Sequence, residues 1–129
     1  MNGLRKKVLM VDDDRLIVML LKDIVKGAGY DVDTASKGKE AWEKIQSWRP
    51  DLIVLDIMLP EISGFELARR IKADEKLKHI PIIMLTALRS PADVTDAKLA
   101  GAVEVLLKPL PPETLLERIK FHFKKPLMI

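Results

Sequence analysis

Short apolar runs alternate along the chain with segments whose apolar residues recur at helical spacing. Three continuous runs, Val8–Val11, Leu52–Leu55 and Ile82–Leu85, are long enough for buried strands and too short for helices. Asp31–Ala35 alternates Val and Thr with Asp, which predicts a half-buried strand, and Val103–Leu107 is predicted to be the last strand. The pattern therefore predicts five strands.

Each predicted strand is followed by a segment with the apolar period of a helix. The apolar face of the first helix is predicted to contain Ile17, Leu20, Leu21, Ile24, Val25 and Ala28. Ser36 is a candidate N-cap of the second helix. Ser90, followed by Pro91 and Asp93, has the pattern of a helix start. The apolar faces of the third and fifth helices contain Leu67, Ala68 and Ile71, and Leu115, Leu116, Ile119 and Phe123.

Five strand–helix units with short connections predict an α/β fold with a parallel sheet covered by helices on both faces. Right-handed crossovers favour a doubly wound topology. The half-buried second strand suits an edge, as in the flavodoxin-like five-stranded order 2-1-3-4-5. A chain of 129 residues has the size of one domain, so we expect residues 1–129 to form a single domain.

Composition indicates the cellular compartment of the protein. No apolar run approaches the roughly 20 residues that cross a bilayer, and the amino terminus lacks a signal-peptide pattern. The sequence contains no cysteine, which excludes disulfides, thiolate metal sites and a cysteine nucleophile. We therefore expect a cytoplasmic protein with no membrane partner.

The net charge of +3 comes from 22 basic and 19 acidic residues. The basic excess lies mainly near the two ends, in Arg5–Lys7 and in Lys120, Lys124 and Lys125. A nucleic-acid module needs a clustered basic stripe with a reading element, so binding to nucleic acid is not expected. Five aromatic residues at helical spacing are predicted to belong to the core rather than to stack on bases; they are Trp42, Trp48, Phe65, Phe121 and Phe123.

Polar residues follow four of the predicted strands. The first strand ends in Asp12-Asp13-Asp14, the third in Asp56, the fourth in Thr86 and the fifth in Lys108-Pro109. An Asp after a strand commonly caps a helix or forms a turn, and a lone Lys is usually solvated. In a doubly wound sheet, however, ligands bind outside the carboxyl ends of the strands. Four polar strand ends at one edge therefore predict a functional site.

The residue types at this edge indicate phosphoryl chemistry. Clustered carboxylates repel one another unless a counter-charge is present, and hard oxygen ligands without His or Cys favour Mg²⁺. Lys108 can pair with a phosphoryl oxygen, Thr86 offers a hydroxyl, and a carboxylate can itself be the nucleophile that forms an aspartyl phosphate. His79 and His122 are not at strand ends, which argues against a Ser-His-Asp catalytic arrangement. The sequence has no P-loop, and the absence of G-x-G-x-x-G after the first strand argues against a dinucleotide site.

These residues resemble the receiver domain of two-component response regulators over about residues 7–123, in particular the stand-alone receivers of chemotaxis regulators. Four motifs occur in the same order and spacing as in that family. They are Val8–Asp14, Asp51–Pro60 with Gly64, Pro81–Ala87, and Lys108-Pro109.

The resemblance implies a role for each matching position. Asp56 would be the phosphoacceptor. Asp12 and Asp13, together with Asp56 and the backbone carbonyl of Met58, would hold Mg²⁺.

Two further positions of the motifs would act on the phosphoryl group itself. Thr86 would form a hydrogen bond to it and Lys108 an ion pair with it, and the Lys108–Pro109 peptide bond is expected to be cis. The donor would be a histidine kinase or a histidine phosphotransfer protein, and the output a downstream protein effector. The domain would not be an enzyme but a phosphoacceptor that assists its own phosphorylation and dephosphorylation.

Two positions depart from the family's pattern. Val105 stands where the family often has an aromatic residue, which puts the usual output mechanism in doubt. Pro111 stands where an Asp often caps the last helix, which only loosens a helix start.

Two alternative functions follow from the same residues. Asp12-x-Asp14 looks like the nucleophile motif of haloacid-dehalogenase-type phosphatases, but Leu16 stands where that family usually has Thr or Val, and a further acidic pair near the end is missing. A pseudo-receiver that no longer accepts phosphate is the other alternative, and the acidic edge with Lys108 argues against it. No output domain is expected, and the chain is either a stand-alone regulator or relay protein, or an excised fragment.

Overall fold

The computed structural model describes residues 5–124. Lys125, which the charge pattern grouped with the basic carboxyl-terminal end, lies outside them. Strands and helices alternate throughout the described chain. In chain order they are β1 (Lys7–Val11), α1 (Arg15–Gly27), β2 (Asp31–Ala35), α2 (Gly38–Trp48), β3 (Leu52–Leu55), α3 (Gly64–Ala73), β4 (Ile82–Thr86), α4 (Pro91–Leu99), β5 (Glu104–Leu107) and α5 (Pro112–Phe123).

The five strands form one sheet in the order β2-β1-β3-β4-β5, and every neighbouring pair is parallel. β3 and β4 are buried along their whole length, whereas β2 and β5 lie at the edges and are largely half-buried. The predicted fold class, strand order and edge position of the second strand are confirmed.

The core consists of two apolar layers, one on each face of the sheet. Alternate residues of one strand enter opposite layers: Leu9 packs with α2, α3 and α4, and Met10 packs with α1 and α5. Each central strand is apolar on both sides, so burial of its whole length fixes its register. The polar residue that ends the strand then lies at the carboxyl edge of the sheet.

The predicted apolar face of α1 is partly wrong. Val18, Leu21 and Val25 are buried, whereas Leu20 is 55% exposed and Ala28 lies just past the end of the helix. Residues 16–21 are all apolar, so the spacing of apolar residues alone left the orientation of the first two turns ambiguous.

Three local predictions are also corrected. Ser36 is not the N-cap of α2; that position is Lys37, and the backbone N–H of Ser36 donates to Glu40 Oε1 at 2.9 Å. Val103 precedes β5 and is exposed. Phe121 is exposed rather than part of the core, whereas the other four aromatic residues are partly buried against the core.

The start of α4 is confirmed. Ser90 Oγ accepts a hydrogen bond from the N–H of Asp93 at 3.0 Å and donates to the Asp93 carboxylate at 2.9 Å, and Pro91 is the first helical residue. Along the whole of α4, every residue of which is described, only Ala97 is buried. α4 therefore has a strong local start and little burial.

Candidate functional site

The strand register places the predicted site residues at one edge of the sheet. Val11 is paired with Leu55, so Asp12 and Asp56 follow neighbouring strands, and the N–H of Asp56 donates to the carbonyl of Val11 at 2.9 Å. The N–H of Lys108 donates to the carbonyl of Thr86 at 2.8 Å, which joins the ends of β4 and β5. The sheet therefore brings residues from four strands together.

Burial separates these residues from the rest of the polar residues. Among residues 5–124, the buried polar or charged residues are Asp12 and Asp56, each 7% exposed, and Thr86, which is 1% exposed. All three were predicted from the sequence as site residues. Because burial of a carboxylate is costly without partners, such a cluster requires compensating contacts.

Lys108 is the main partner that offsets the cost of burying the carboxylates of Asp12 and Asp56. Its Nζ lies 2.6 Å from Oδ2 of Asp12 and 3.0 Å from Oδ2 of Asp56, and all three side chains are largely buried. Burial acts to lower the pKa of Lys108, but its hydrogen bonds to Asp12 and Asp56 outweigh that effect, so the pKa is raised. The ammonium therefore remains charged between the two carboxylates.

The two buried carboxylates have matching partners. Oδ1 of Asp12 accepts a hydrogen bond from the N–H of Asp14 at 3.0 Å, and Oδ1 of Asp56 accepts one from the N–H of Met58 at 3.1 Å. Each carboxylate thus binds a backbone amide two residues ahead through one oxygen and Lys108 through the other. Burial nevertheless raises the pKa of Asp12, against the opposing hydrogen bonds from Lys108 and Asp14.

The donor set fits a hard divalent cation. Asp12, Asp13 and Asp56 each offer one carboxylate oxygen, and these oxygens lie within 4.8 Å of one another. Opposite ligand oxygens of one Mg²⁺ are about 4.2 Å apart, so the spacing is close to what the ion requires. Asp13 is exposed, so water can reach this side of the cluster.

Not every aspartate after β1 belongs to the cluster. Oδ1 of Asp14 accepts a hydrogen bond from the N–H of Ile17 at 3.3 Å, which makes Asp14 the N-cap of α1. The second acidic residue of the phosphatase-like motif therefore caps a helix.

Thr86 and Arg89 connect the site to the loop after β4. The Thr86 hydroxyl accepts a hydrogen bond from the N–H of Leu88 at 3.2 Å. Arg89 donates from Nη2 to the backbone carbonyl of Lys108 at 2.6 Å. No sequence pattern indicated Arg89, because its partner is a main-chain atom 19 positions away.

Val105 and Pro111, the two residues that depart from the family pattern, have ordinary structural roles in the sheet and at a helix start. Val105 is half-buried, lies opposite Met84 in the sheet and packs against the layer formed by α2, α3 and α4. Pro111 is the N-cap of α5 and forms no side-chain cap, as the sequence indicated. The Lys108–Pro109 bond is cis, which confirms the expectation.

The fold and this edge together define a doubly wound α/β domain with a lysine-bridged carboxylate site. The family model of the response regulator receiver domain matches residues 8–120 of the sequence. The chain belongs to the response regulator receiver domain family.

Several relatives share the sequence over most of this chain. It is 36% identical over 117 residues to the polar-differentiation response regulator DivK of Brucella anthropi, covering 91% of this chain and 95% of DivK. It is 40% identical to the alkaline phosphatase synthesis transcriptional regulatory protein PhoP of Bacillus subtilis, covering 91% of this chain and 48% of PhoP. For the DNA-binding response regulator MtrA of Mycobacterium tuberculosis the identity is 33%, with 97% of this chain and 54% of MtrA covered. The chain therefore spans about half the length of MtrA and PhoP.

Solved receiver structures share the fold. The chemotaxis response regulator CheY4 of Vibrio cholerae superposes with a TM-score of 0.85 at 39% identity, covering 90% of this chain and 97% of that one. The receiver domain of a Luxo repressor protein from Vibrio parahaemolyticus gives 0.87 at 30% identity, with coverages of 95% and 92%.

Membership of this family makes the chain a component of two-component signalling. As a family, receiver domains are phosphoacceptor switches rather than classical enzymes. No helix within residues 5–124 is long and apolar enough to span a bilayer.

Proposed function

We propose that this domain is a phosphorylation-dependent switch in which Asp56 accepts a phosphoryl group. The observation that carries this proposal is the burial of Asp12, Asp56 and Thr86 at one sheet edge, with Lys108 bridging the two carboxylates. An Asp at this position of the receiver motif, held by both a cation and a backbone amide, is oriented for attack on phosphorus.

The chemistry of Asp56 follows from its contacts. A carboxylate oxygen of Asp56 forms a bond to phosphorus while the donor's bond to phosphorus breaks, and the leaving group keeps the electron pair. Before the reaction Oδ1 of Asp56 accepts a hydrogen bond from the N–H of Met58 and Oδ2 accepts one from the ammonium of Lys108, so each oxygen keeps a lone pair for the attack. Lys108 can follow the charge from the carboxylate to the phosphoryl oxygens because its side chain is flexible.

Asp12, Asp13 and Asp56 would hold Mg²⁺, with the backbone carbonyl of Met58 as the further ligand that the family resemblance implies. When bound, the ion would neutralise charge on the carboxylates and on the incoming phosphoryl group. The Thr86 hydroxyl, whose oxygen accepts a hydrogen bond from the N–H of Leu88, would donate its hydrogen to the phosphoryl group. The domain would assist its own phosphorylation and dephosphorylation and would not be an enzyme toward other substrates.

The phosphoryl donor would be a histidine kinase or a histidine phosphotransfer protein. The first turns of α1 support a protein donor, because Leu16, Met19 and Leu20 are exposed there and follow directly after the acidic cluster. Exposed apolar side chains grouped in this way are typical of protein contact surfaces. Three other exposed apolar residues would be available for a downstream protein effector; they are Leu99, Val103 and Phe121.

The receiver domain would act in the cytoplasm and would signal through protein contacts. Binding to nucleic acid or to membranes is not part of the proposed function.

The proposal is tested by incubating the protein with Mg²⁺ and a labelled small acyl phosphate. Asp56→Asn should abolish labelling, and removal of Mg²⁺ by a chelator should do the same. Asp23→Asn, on the exposed side of α1, is the matched control and should label normally. Label that persists in Asp56→Asn but disappears in Asp12→Asn would contradict the proposal and support the phosphatase-like alternative.

A further inference from the structure

Gly64 makes an unusually close contact with the backbone of the proposed phosphoacceptor. It is the first residue of α3, and its N–H donates to the carbonyl of Ile57 at 2.7 Å. A Cβ atom built on Gly64 would lie 2.7 Å from the Cα of Ile57 and would overlap the carbonyl oxygen of Asp56. Any side chain at position 64 would therefore require the backbone to move.

The atoms in the way cannot rotate aside, because they belong to the main chain. On its other side, the Asp56 peptide is fixed by the hydrogen bond from its N–H to the carbonyl of Val11 at 2.9 Å. The end of β3 is thus held between β1 and the first residue of α3. A methyl group on Gly64 would have to displace either the Asp56 peptide or the start of α3 by about 1 Å to reach ordinary van der Waals contact.

We propose that Gly64 is a positioning residue: its lack of a side chain sets where the Asp56 carboxylate stands relative to Asp12, Asp13 and Lys108. This inference rests on the proposed function of Asp56. Gly64 is not among the residues proposed to hold the metal or the phosphoryl group; it would act through the backbone of residues 56 and 57.

The position matters because the Asp56 carboxylate has two short contacts in different directions. Its Oδ1 meets the N–H of Met58 at 3.1 Å, and its Oδ2 meets Nζ of Lys108 at 3.0 Å. A shift of about 1 Å in a reacting group can lower a rate by about 100-fold. Loss of a group that orients a metal ligand typically lowers metal affinity by about 10-fold to 100-fold.

Other glycines of the chain provide matched controls. Gly27 has nothing within 4 Å of a built Cβ. Gly101 has a φ of +118°, and a Cβ there would lie 2.5 Å from Cγ of Lys72. Gly101→Ala should therefore lose stability without touching the site, and Gly27→Ala should change little.

The test compares Gly64→Ala, Gly101→Ala and Gly27→Ala in the complete chain. Mg²⁺ affinity is measured by calorimetry without any phosphoryl donor, and the initial rate of Asp56 labelling is measured with an acyl phosphate. Both are compared at a temperature at which all three variants are folded by circular dichroism. We expect Gly64→Ala to bind Mg²⁺ at least about 10-fold more weakly and to label about 100-fold more slowly, while both controls stay within about twofold of the wild type.

Equal losses in Gly64→Ala and Gly101→Ala would overturn the inference, because general destabilisation would then explain them. Wild-type affinity and labelling in a folded Gly64→Ala variant would also overturn it. Absence of label on Asp56 in the wild type would overturn the proposed function. The outcomes above, in contrast, overturn only the role of Gly64, so the two failures are distinguishable.

A measurement on the wild type covers the case in which Gly64→Ala does not fold. If the contact at Gly64 favours the Mg²⁺-binding geometry, Mg²⁺ must by reciprocity favour the contact. Amide exchange of the Gly64 N–H should therefore slow on adding Mg²⁺, by more than that of the Gly101 N–H, which donates to the carbonyl of Lys98 at 3.0 Å. Equal changes at the two amides would overturn the inference.

Discussion

Lys108 Nζ lies 3.0 Å from Oδ2 of Asp56, and the same ammonium lies 2.6 Å from Oδ2 of Asp12. Replacing Lys108 with Met would leave two largely buried carboxylates without their shared cation. Removal of one partner from a buried ion pair typically costs about 3 kcal/mol or more of unfolding free energy. We therefore expect Lys108→Met to lose stability of this order in the absence of metal, as measured by urea denaturation.

Mg²⁺ should restore more stability to Lys108→Met than to the wild type, because the ion would supply the missing positive charge. Lys98→Met on the exposed side of α4 is the control and should change the unfolding free energy by about 0.5 kcal/mol or less. Unchanged metal-free stability of Lys108→Met would show that the ion pair contributes little.

Asp13 is the exposed member of the acidic cluster, and Lys108 contacts only the other two carboxylates of the cluster. Asp13→Asn should therefore remove repulsion without breaking that bridge, so we expect the metal-free protein to melt at the same or a higher temperature. For the wild type, Mg²⁺ at a hundredfold excess over Kd should add about 2.7 kcal/mol. In Asp13→Asn most of that gain should be lost. A wild-type melting temperature that stays constant across a wide Mg²⁺ titration would refute the metal assignment.

Thr86 and Val105 should contribute unequally to the response to phosphorylation. Thr86 is buried at the site, whereas Val105 is too short to act as an aromatic lever and β-branching limits its rotamers. Thr86→Ala should leave labelling of Asp56 largely intact but reduce the change in amide exchange that a phosphoryl mimic causes in residues 87–93. Val105→Ala should retain most of that change. If both variants lose it equally, Val105 is a working part of the switch.

Glu104 should give the stability of the domain a specific dependence on pH. Burial acts to raise its pKa, but hydrogen bonds from His122 at 2.8 Å and Arg118 at 2.9 Å outweigh it, so the pKa lies below the ordinary 4.5. Because the folded pKa is lower than the unfolded pKa, the stabilisation is fully present above pH 4.5 and is lost as the pH falls through the folded pKa.

Glu104→Gln should accordingly lower the unfolding free energy by about 1 kcal/mol at pH 7, and the difference from wild type should shrink below pH 4.5. Urea denaturation between pH 3 and about pH 7 measures this difference. Glu117→Gln, which is exposed on α5, the helix that holds Arg118 and His122, is the control. A difference that stays constant across this range would mean that ionisation of Glu104 is not its source.

Leu16 and Leu20 should matter for transfer from a protein donor but not from a small one. Leu16 is 80% exposed, so changing both residues to Ser removes little core packing. Side chains at the centre of a protein interface often contribute about 2 kcal/mol or more, so phosphotransfer from the cognate kinase should fall at least about 30-fold in kcat/KM. Labelling by an acyl phosphate should be unchanged. An equal fall with both donors would place the effect within the site instead.

The sequence predicted where the candidate site residues lie on the sheet, because they follow strands that can be recognised from burial alone. Leu52–Leu55 is apolar at every position, so the end of this strand and the place of Asp56 follow directly. The same reasoning placed Asp12, Thr86 and Lys108. It could not distinguish the roles of Asp13 and Asp14, because capping of α1 depends on side-chain direction.

Predictions failed where several apolar residues stand together or where tertiary contacts decide. In α1 the apolar run from residue 16 to residue 21 allowed two orientations, and packing selected Val18 rather than Leu20 for burial. Ser36 has a common capping side chain, yet α2 begins at Gly38, one residue later than an N-cap at Ser36 would place it. Gly38 packs closely against Ile62, because a Cβ on Gly38 would lie 2.5 Å from the Cβ of Ile62. The contact of Gly64 with the Asp56 backbone likewise exists only in three dimensions.

The construction of α4 has a mechanical consequence. Its first turn is closed by reciprocal hydrogen bonds between Ser90 and Asp93, so the cap of the helix depends on no contact with the rest of the domain. Its attachment to the body of the domain depends on the small side chain of Ala97. Tilting or sliding α4 as a rigid rod would therefore expose little apolar surface and break no bond of its cap. A displacement of the loop that follows Thr86 would meet little resistance from the packing of α4.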